Sequence, residues 1–160
     1  MNFHYNVIIS NSKETIEFKA TEGKNKNEAI KGVEFRFNSD DNGTEYDIDG
    51  RVEIVIKGRF DGREETFKAI KQLSDWATST INDAYREVEI SMTTSDNDEN
   101  TGNFKRTYCF DKMFCIKYSE SSGNAIDNSS KGGNKGSFEF TLFMAQAATW
   151  EKRETKFETV

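Results

Sequence analysis

Alternation of apolar and polar residues at a period of two constrains this chain more than any other feature of its sequence. The alternation is clearest from Arg51 to Phe60, where Val52, Ile54 and Ile56 share one side. Such a segment predicts a half-buried β-strand. Similar segments recur at regular spacing, and they are Phe3 to Ser10, Glu14 to Ala20, Gly32 to Asn38, Tyr85 to Thr94, Arg106 to Tyr118 and Ser137 to Ala147.

One segment has helical periodicity instead. Glu64 and Glu65 suit the positive end of a helix dipole, and apolar residues follow at three- and four-residue spacing. We therefore predict an α-helix over about residues 64–81, with Trp76 beside its apolar stripe as a core or interface anchor. The residues of the stripe are Phe67, Ile70, Leu73, Ala77 and Ile81.

Length, order and charge limit the architecture and the partners. A chain of 160 residues predicts one domain, residues 1–160, and short strands with one inserted helix favour a barrel or a sandwich. The net charge of −6 has no basic cluster, which disfavours nucleic-acid binding. No apolar run approaches the roughly 18 residues that span a bilayer, so membrane insertion is not expected. We also see no secretory signal at the N-terminus, so we expect folding in the cytoplasm.

The two cysteines lie six residues apart in the stretch from Arg106 to Asn124. In an extended strand their α-carbons would be about 20 Å apart, well beyond the ~7 Å that a disulfide allows. Their spacing matches neither a zinc knuckle nor a redox Cys-x-x-Cys motif. We therefore predict that Cys109 and Cys115 are reduced, buried thiols in one long strand that bends near Asp111–Lys112.

The residues that could carry catalysis or hold a metal are poorly arranged for either task. His4 is the only histidine, and no Gly-x-Ser-x-Gly nucleophile motif is present. The acidic segments Ser39 to Gly50 and 95–102 lack the glutamate at the twelfth position of a calcium loop. We predict no catalytic, cofactor-binding or metal-binding residues, and no enzymatic activity.

Several short motifs follow one another in the second half of the chain. Trp76 lies near the end of the predicted helix, Arg106 precedes Phe110-Asp111 and Phe114, and Tyr118-Ser119-Glu120 precedes a polar loop and a final amphipathic strand. In this order the segment from about 50 to 147 resembles the haemolysin-coregulated protein family. It is most similar to the divergent branch that forms the inner tube of type VI secretion systems and related contractile injection machines.

The resemblance implies a small β-barrel of antiparallel strands with one flanking α-helix, assembled as a hexameric ring. Rings would stack into a tube that carries effectors, with sheath and baseplate proteins as partners and export without a signal peptide. The acidic arm and the strands would supply the subunit interface or the lumen. These candidates are Tyr46, Asp47, Glu87, Glu89, Lys117, Tyr118, Glu120, Glu139 and Thr141. The alternative is a soluble, monomeric β-barrel that binds a ligand or cation through its acidic loops.

Overall fold

The computed structural model describes residues 2–21, 28–39, 50–79, 84–95, 103–125, 135–147 and 153–159, which contain eight β-strands and one α-helix. The predicted mainly β architecture with one helix is confirmed. The elements in chain order are β1 (Asn2–Ser10), β2 (Thr15–Phe18), β3 (Ile30–Ser39), β4 (Gly50–Arg59), α1 (Glu64–Ala77), β5 (Arg86–Ser95), β6 (Phe104–Ala125), β7 (Lys135–Gln146) and β8 (Arg153–Thr159).

The strands form one antiparallel sheet in the order β2-β1-β5-β6-β7-β4-β3, and β8 also pairs with β6. Within the described ranges no pairing joins β2 to β3, so the sheet is an open one rather than a closed barrel. It nevertheless curls around its own core. Phe35 of β3 stacks on Tyr108 of β6 with ring centroids 3.9 Å apart, and Phe18 of β2 contacts Phe140 of β7 at 5.4 Å.

The core follows the period-two pattern that the sequence predicts. In each long strand alternate residues face inward, because successive side chains of a strand point to opposite faces. The innermost apolar side chains are at most 1% exposed, and they include Val7, Ile9, Ile54, Ile56, Val88, Ile90, Leu142 and Met144. They form one cluster with the buried face of α1.

The helix differs from the prediction in its end and in its buried face. It ends at Ala77 rather than at about residue 81, because the backbone of Thr78 leaves the helical conformation, with φ −101° and ψ 2°. The next N–H, of Ser79, donates to the carbonyl of Trp76, only three residues before it. Phe67 was predicted to be buried but is 62% exposed, where it packs edge to face on Phe60. The buried face is rotated by one position and consists of Thr66, Ala69, Ile70, Leu73 and Trp76.

Two bulges interrupt the 22-residue strand β6. One shifts the register against β5 near Lys112, which has a positive φ of 49°, and the predicted bend is therefore confirmed. The other shifts the register against β7 at Ile116. Each bulge places one additional residue opposite the partner strand and reverses the side-chain phase.

The two cysteines are thiols and form no disulfide, as predicted. The prediction that both are buried is wrong, since each is only half-buried. Cys109 lies on the outer face of the sheet, directly between Glu89 and Glu154, whereas Cys115 packs against the core. The bulge near Lys112 reverses the side-chain phase between them, which is why the thiols point to opposite faces.

The C-terminal segment, which was not among the predicted strands, forms a strand. β8 pairs with β6 from Phe104–Thr159 to Phe110–Arg153. All of its residues except Arg153 are exposed. Backbone hydrogen bonding can therefore hold a segment in the sheet although it has no alternating apolar face.

Candidate functional site

The most unusual feature of the fold is an unpaired edge along the second half of β6. β5 pairs with one edge of β6 only as far as Met113. β7 and β8 follow one another along the opposite edge, where Met113 pairs with Gln146 and Phe110 pairs with Arg153. From Phe114 onward, the edge that faces away from β7 has no partner strand among the residues that the structure describes.

A second unpaired edge lies three strands away. β3 pairs with β4 on one side and, in the described part of the chain, with no strand on the other. The second half of β6, with β7, β4 and β3, thus makes a band of four antiparallel strands with one unpaired edge on each side. We call this band the four-strand strip. Unpaired N–H and C=O groups along a strand edge are a template for pairing with another strand.

Three of the predicted interface or lumen residues lie together on the outer face of this strip. Lys117 on β6 is opposite Phe143, and Thr141 and Glu139 follow along β7 opposite Ser119 and Ser121. Lys117 and Glu139 are exposed, and Thr141 is half-buried. The outer face of the strip is therefore polar where the hairpin of β6 and β7 extends from the sheet.

Two ion pairs on β3 add charge to the same region. The ammonium group of Lys31 donates to Glu139 at 2.6 Å, and this hydrogen bond lowers the pKa of the Glu139 carboxyl. Arg36 donates to Glu34 at 2.9 Å and lowers the pKa of Glu34 in the same way. The sequence analysis did not single out these β3 residues, because their relation to β7 depends on the order of strands in the sheet.

Tyr118 and Glu120, also predicted as interface residues, lie on the opposite face of β6. The Tyr118 ring packs against the core with its centroid 6.3 Å from that of Phe140. Its hydroxyl donates to the Glu120 carboxylate at 2.7 Å. Burial raises the pKa of Tyr118, and the hydrogen bond to Glu120 raises it further. Tyr118 thus supports the hairpin of β6 and β7 on the side that faces the core. Glu120 is exposed beside the Tyr118 hydroxyl.

The remaining predicted residues lie elsewhere. Glu87 and Glu89 are on the outer face of β5, which is not part of the four-strand strip. Glu87 is exposed and Glu89 is half-buried opposite Cys109. Tyr46 and Asp47 lie outside the described residues, as do most of the two acidic segments from which the alternative binding function was inferred.

Ile116 is a candidate that the sequence analysis did not identify. It is the additional residue of the second bulge and is 50% exposed beside the unpaired edge of β6. In an uninterrupted strand Phe114, Ile116 and Tyr118 would share one face. No local signal marked the bulge, because the extra residue is defined by the register of β7.

Neither a metal site nor a membrane-spanning helix is found in the described ranges. They contain no group of three or more His, Cys, Asp or Glu side chains that could hold a metal ion. They also contain no helix that is long and apolar enough to cross a membrane. Comparison of the chain with known protein families, curated proteins and solved structures found no match.

Proposed function

We propose that this protein is a structural subunit that assembles into hexameric rings, which stack as the inner tube of a contractile injection machine. The observation that carries the proposal is the four-strand strip with its two unpaired edges. The family resemblance of residues 50–147 supports it independently.

The two edges favour a ring because they lie on opposite sides of the same strip. Pairing the β6 edge of one copy with the β3 edge of the next uses two different surfaces, which is a heterologous contact. Heterologous contacts close into rings when the rotation between copies allows it, and otherwise extend as filaments. Each junction would satisfy backbone N–H and C=O groups that water must otherwise satisfy.

A ring of this kind would enclose a channel. Barrels of roughly 16 to 18 strands already leave an aqueous pore, and six four-strand strips joined edge to edge exceed that number. The core side of each strip is occupied by the subunit's own apolar cluster. The outer, polar face with Lys117, Glu139 and Thr141 would then line the lumen and contact effector cargo.

Shape and rigidity would carry this function without a catalytic step. Sheath and baseplate proteins would be the partners of the stacked rings, and the machine itself would export the subunit from the cytoplasm. Most of the acidic loops on which the alternative of a monomeric binding module depends lie outside the described residues.

The proposal predicts rings that depend on the β6 edge. Purified protein should sediment as a species of about 110 kDa, six times the 18.3 kDa chain, and should form rings in negative-stain micrographs. Ile116→Lys places a charge beside the unpaired edge, a change that natural edge strands use to prevent pairing. We expect this variant to reduce the ring population at least tenfold while retaining the circular dichroism spectrum of the unaltered protein.

Phe157→Lys provides the matched control. Phe157 is 66% exposed, comparable with Ile116, but lies on β8 outside the strip. This variant should form rings as the unaltered protein does. A protein that stays monomeric at millimolar concentration, with no rings in micrographs, would refute the proposed function.

A further inference from the structure

Arg86 is a buried cation with incomplete hydrogen bonding. It is only 5% exposed, at the start of β5. Its guanidinium carbon lies 5.3 Å from the ring centroid of Trp76, and the Trp76 indole in turn donates to the carbonyl of Ala84 at 3.1 Å. Burying a guanidinium is unfavourable unless its N–H groups find acceptors.

One carboxylate compensates part of this charge. A carboxylate oxygen of Glu14 lies 2.7 Å from Nη1 of Arg86. The contact is close but poorly aligned, so Nη1 has a counter-charge without a directed hydrogen bond. Nε is buried and meets no acceptor among the described residues. The edge of the guanidinium formed by Nε and Nη2 is the edge that Glu14 leaves unoccupied.

The Arg86 side chain lines an open cleft of about 500 Å³. The residues that line the cleft include others that carry donor groups, namely Ser10, Ser12, Tyr85 and Lys112. Lys112 belongs to the first bulge of β6, one residue from Met113, which pairs with Arg86. The bulge therefore brings a second cation to a cleft that already contains a buried guanidinium.

We propose that this cleft binds a carboxylate through the Nε–Nη2 edge of Arg86, with Lys112 as the second cation. Two parallel N–H groups match the two oxygens of a carboxylate in a bidentate contact, which a point charge such as lysine cannot reproduce. Glu87 also lines the cleft, and Glu14 contacts Nη1 of the guanidinium. These two negative charges favour a singly charged, planar ligand over a phosphate dianion.

A carboxylate site at Arg86 does not require the ring assembly proposed above. The carboxylate could belong to a small free acid or to an acidic side chain of a second copy, and both present the same chemical group. The site lies at the start of β5 and at the first bulge of β6, whereas the unpaired β6 edge of the strip begins at Phe114. A variant that loses ring assembly should therefore still allow carboxylate binding to be measured, and a variant that loses carboxylate binding should still allow assembly to be measured.

The first test is a titration of the full chain with sodium acetate, with sodium phosphate and sodium chloride at equal ionic strength as comparisons. Acetate should produce saturable chemical-shift changes and a rise in melting temperature that chloride does not produce. Phosphate should bind more weakly than acetate. Equal responses to acetate and chloride, or tighter binding of phosphate, would overturn the proposal.

Variants then locate the site. Arg86→Lys keeps the charge but loses the bidentate edge, so the acetate association constant should fall at least about tenfold. Arg36→Lys, at an exposed arginine paired with Glu34, is the matched control and should bind as the unaltered protein does. An Arg86→Lys variant that folds and binds acetate normally would refute the assignment.

Lys112→Gly keeps the test decisive if Arg86→Lys does not fold. Lys112 has a φ of 49°, a conformation that glycine adopts without strain, so this variant should retain the fold. Acetate binding should weaken several-fold, and unchanged binding would count against the site.

Sedimentation in acetate and in chloride identifies the source of the carboxylate. A fall in assembly mass in acetate alone indicates a carboxylate from a second copy, and an unchanged mass with bound acetate indicates a free acid.

Discussion

At the scale of single residues, the fold depends on an absent side chain at Gly58. This buried glycine of β4 lies directly opposite Phe140 of β7. A Cβ atom at residue 58 would overlap the Phe140 ring and approach the carbonyl oxygen of Ala29 to 2.9 Å. That oxygen already accepts the N–H of Arg59 at 2.7 Å. Gly58 therefore provides the space in which Phe140 packs into the core.

We expect Gly58→Ala to lower the free energy of unfolding by about 1–3 kcal/mol, the usual effect of overfilling a packed core. Chemical denaturation monitored by circular dichroism measures the change. Gly32→Ala in β3 is the matched control, because nothing lies within 4 Å of a Cβ atom there. The control should change stability by no more than about 0.5 kcal/mol. Equal losses in the two variants would contradict this account of Gly58.

At the scale of elements, β6 organises the sheet because β5, β7 and β8 all pair with it. Its first half is paired on both edges, and its bulges set which side chains face the core. β8 depends on this pairing more than any other strand, since its one large apolar side chain, Phe157, is 66% exposed and stacks on Phe104. A disulfide between β8 and β6 can test the register of this pairing.

We expect Glu154→Cys to form an intramolecular disulfide with the natural Cys109 under mild oxidation. The two residues are direct partners in the β6–β8 pairing. Directly opposed α-carbons in an antiparallel pair are about 4.5–5.5 Å apart, within the range that a disulfide bridges. Titration of free thiols and intact mass under non-reducing conditions measure the bond.

Lys156→Cys is the control for this register, because its partner on β6 is Thr107 rather than a cysteine. Its thiols should stay reduced under the same conditions. Equal oxidation of the two variants, or none in Glu154→Cys, would show that β8 does not hold this register.

At the scale of the whole molecule, one carboxylate ties the two ends of the open sheet together. Glu28 precedes β3, the last strand of the sheet order, and it accepts a hydrogen bond from His4 Nδ1 in β1 at 2.8 Å. The backbone N–H and the hydroxyl of Thr21 each donate to it at 2.9 Å. Burial opposes ionisation of Glu28, but these hydrogen bonds outweigh it and lower the pKa of the carboxyl.

A lowered pKa in the folded state means that ionised Glu28 stabilises the protein above the unfolded pKa of about 4.3. The contribution is lost as the pH falls through the lower pKa of the folded state. We expect Glu28→Gln to reduce the free energy of unfolding at pH 7 by about 1–2 kcal/mol. The difference from the unaltered protein should shrink steadily below about pH 4, as denaturation curves at each pH will show.

Glu17→Gln serves as the control for charge removal, since Glu17 is exposed on β2. Its effect on stability at pH 7 should be no more than about 0.5 kcal/mol. A Glu28→Gln difference that stays constant down to pH 2 would indicate that the carboxylate does not join the sheet ends in this way.

Much of the fold could be predicted from local pattern, but the candidate site could be predicted only in part. Lys117, Glu139 and Thr141 were recognised as outward-facing from alternation and do lie together on the strip. Ile116 and the β3 ion pairs were missed, because their positions follow from register and strand order. Trp76 was predicted to be a core or interface anchor, and it lies in the core. Phe67 was predicted to be buried but is exposed, because periodicity limits the buried face of a helix only to within one residue position.

The sequence by itself determined the number and type of most elements, since the period of apolar residues follows directly from backbone geometry. The spacing of the two cysteines also predicted that they do not join, provided that the strand between them is extended. The tertiary structure alone decided that an exposed C-terminal segment becomes β8. It also decided that, among the described residues, no strand closes the sheet and none pairs with the outer edge of the second half of β6. The reason is physical: a strand's hydrogen-bond partners are distant in the chain, so its pairing depends on how the whole molecule folds.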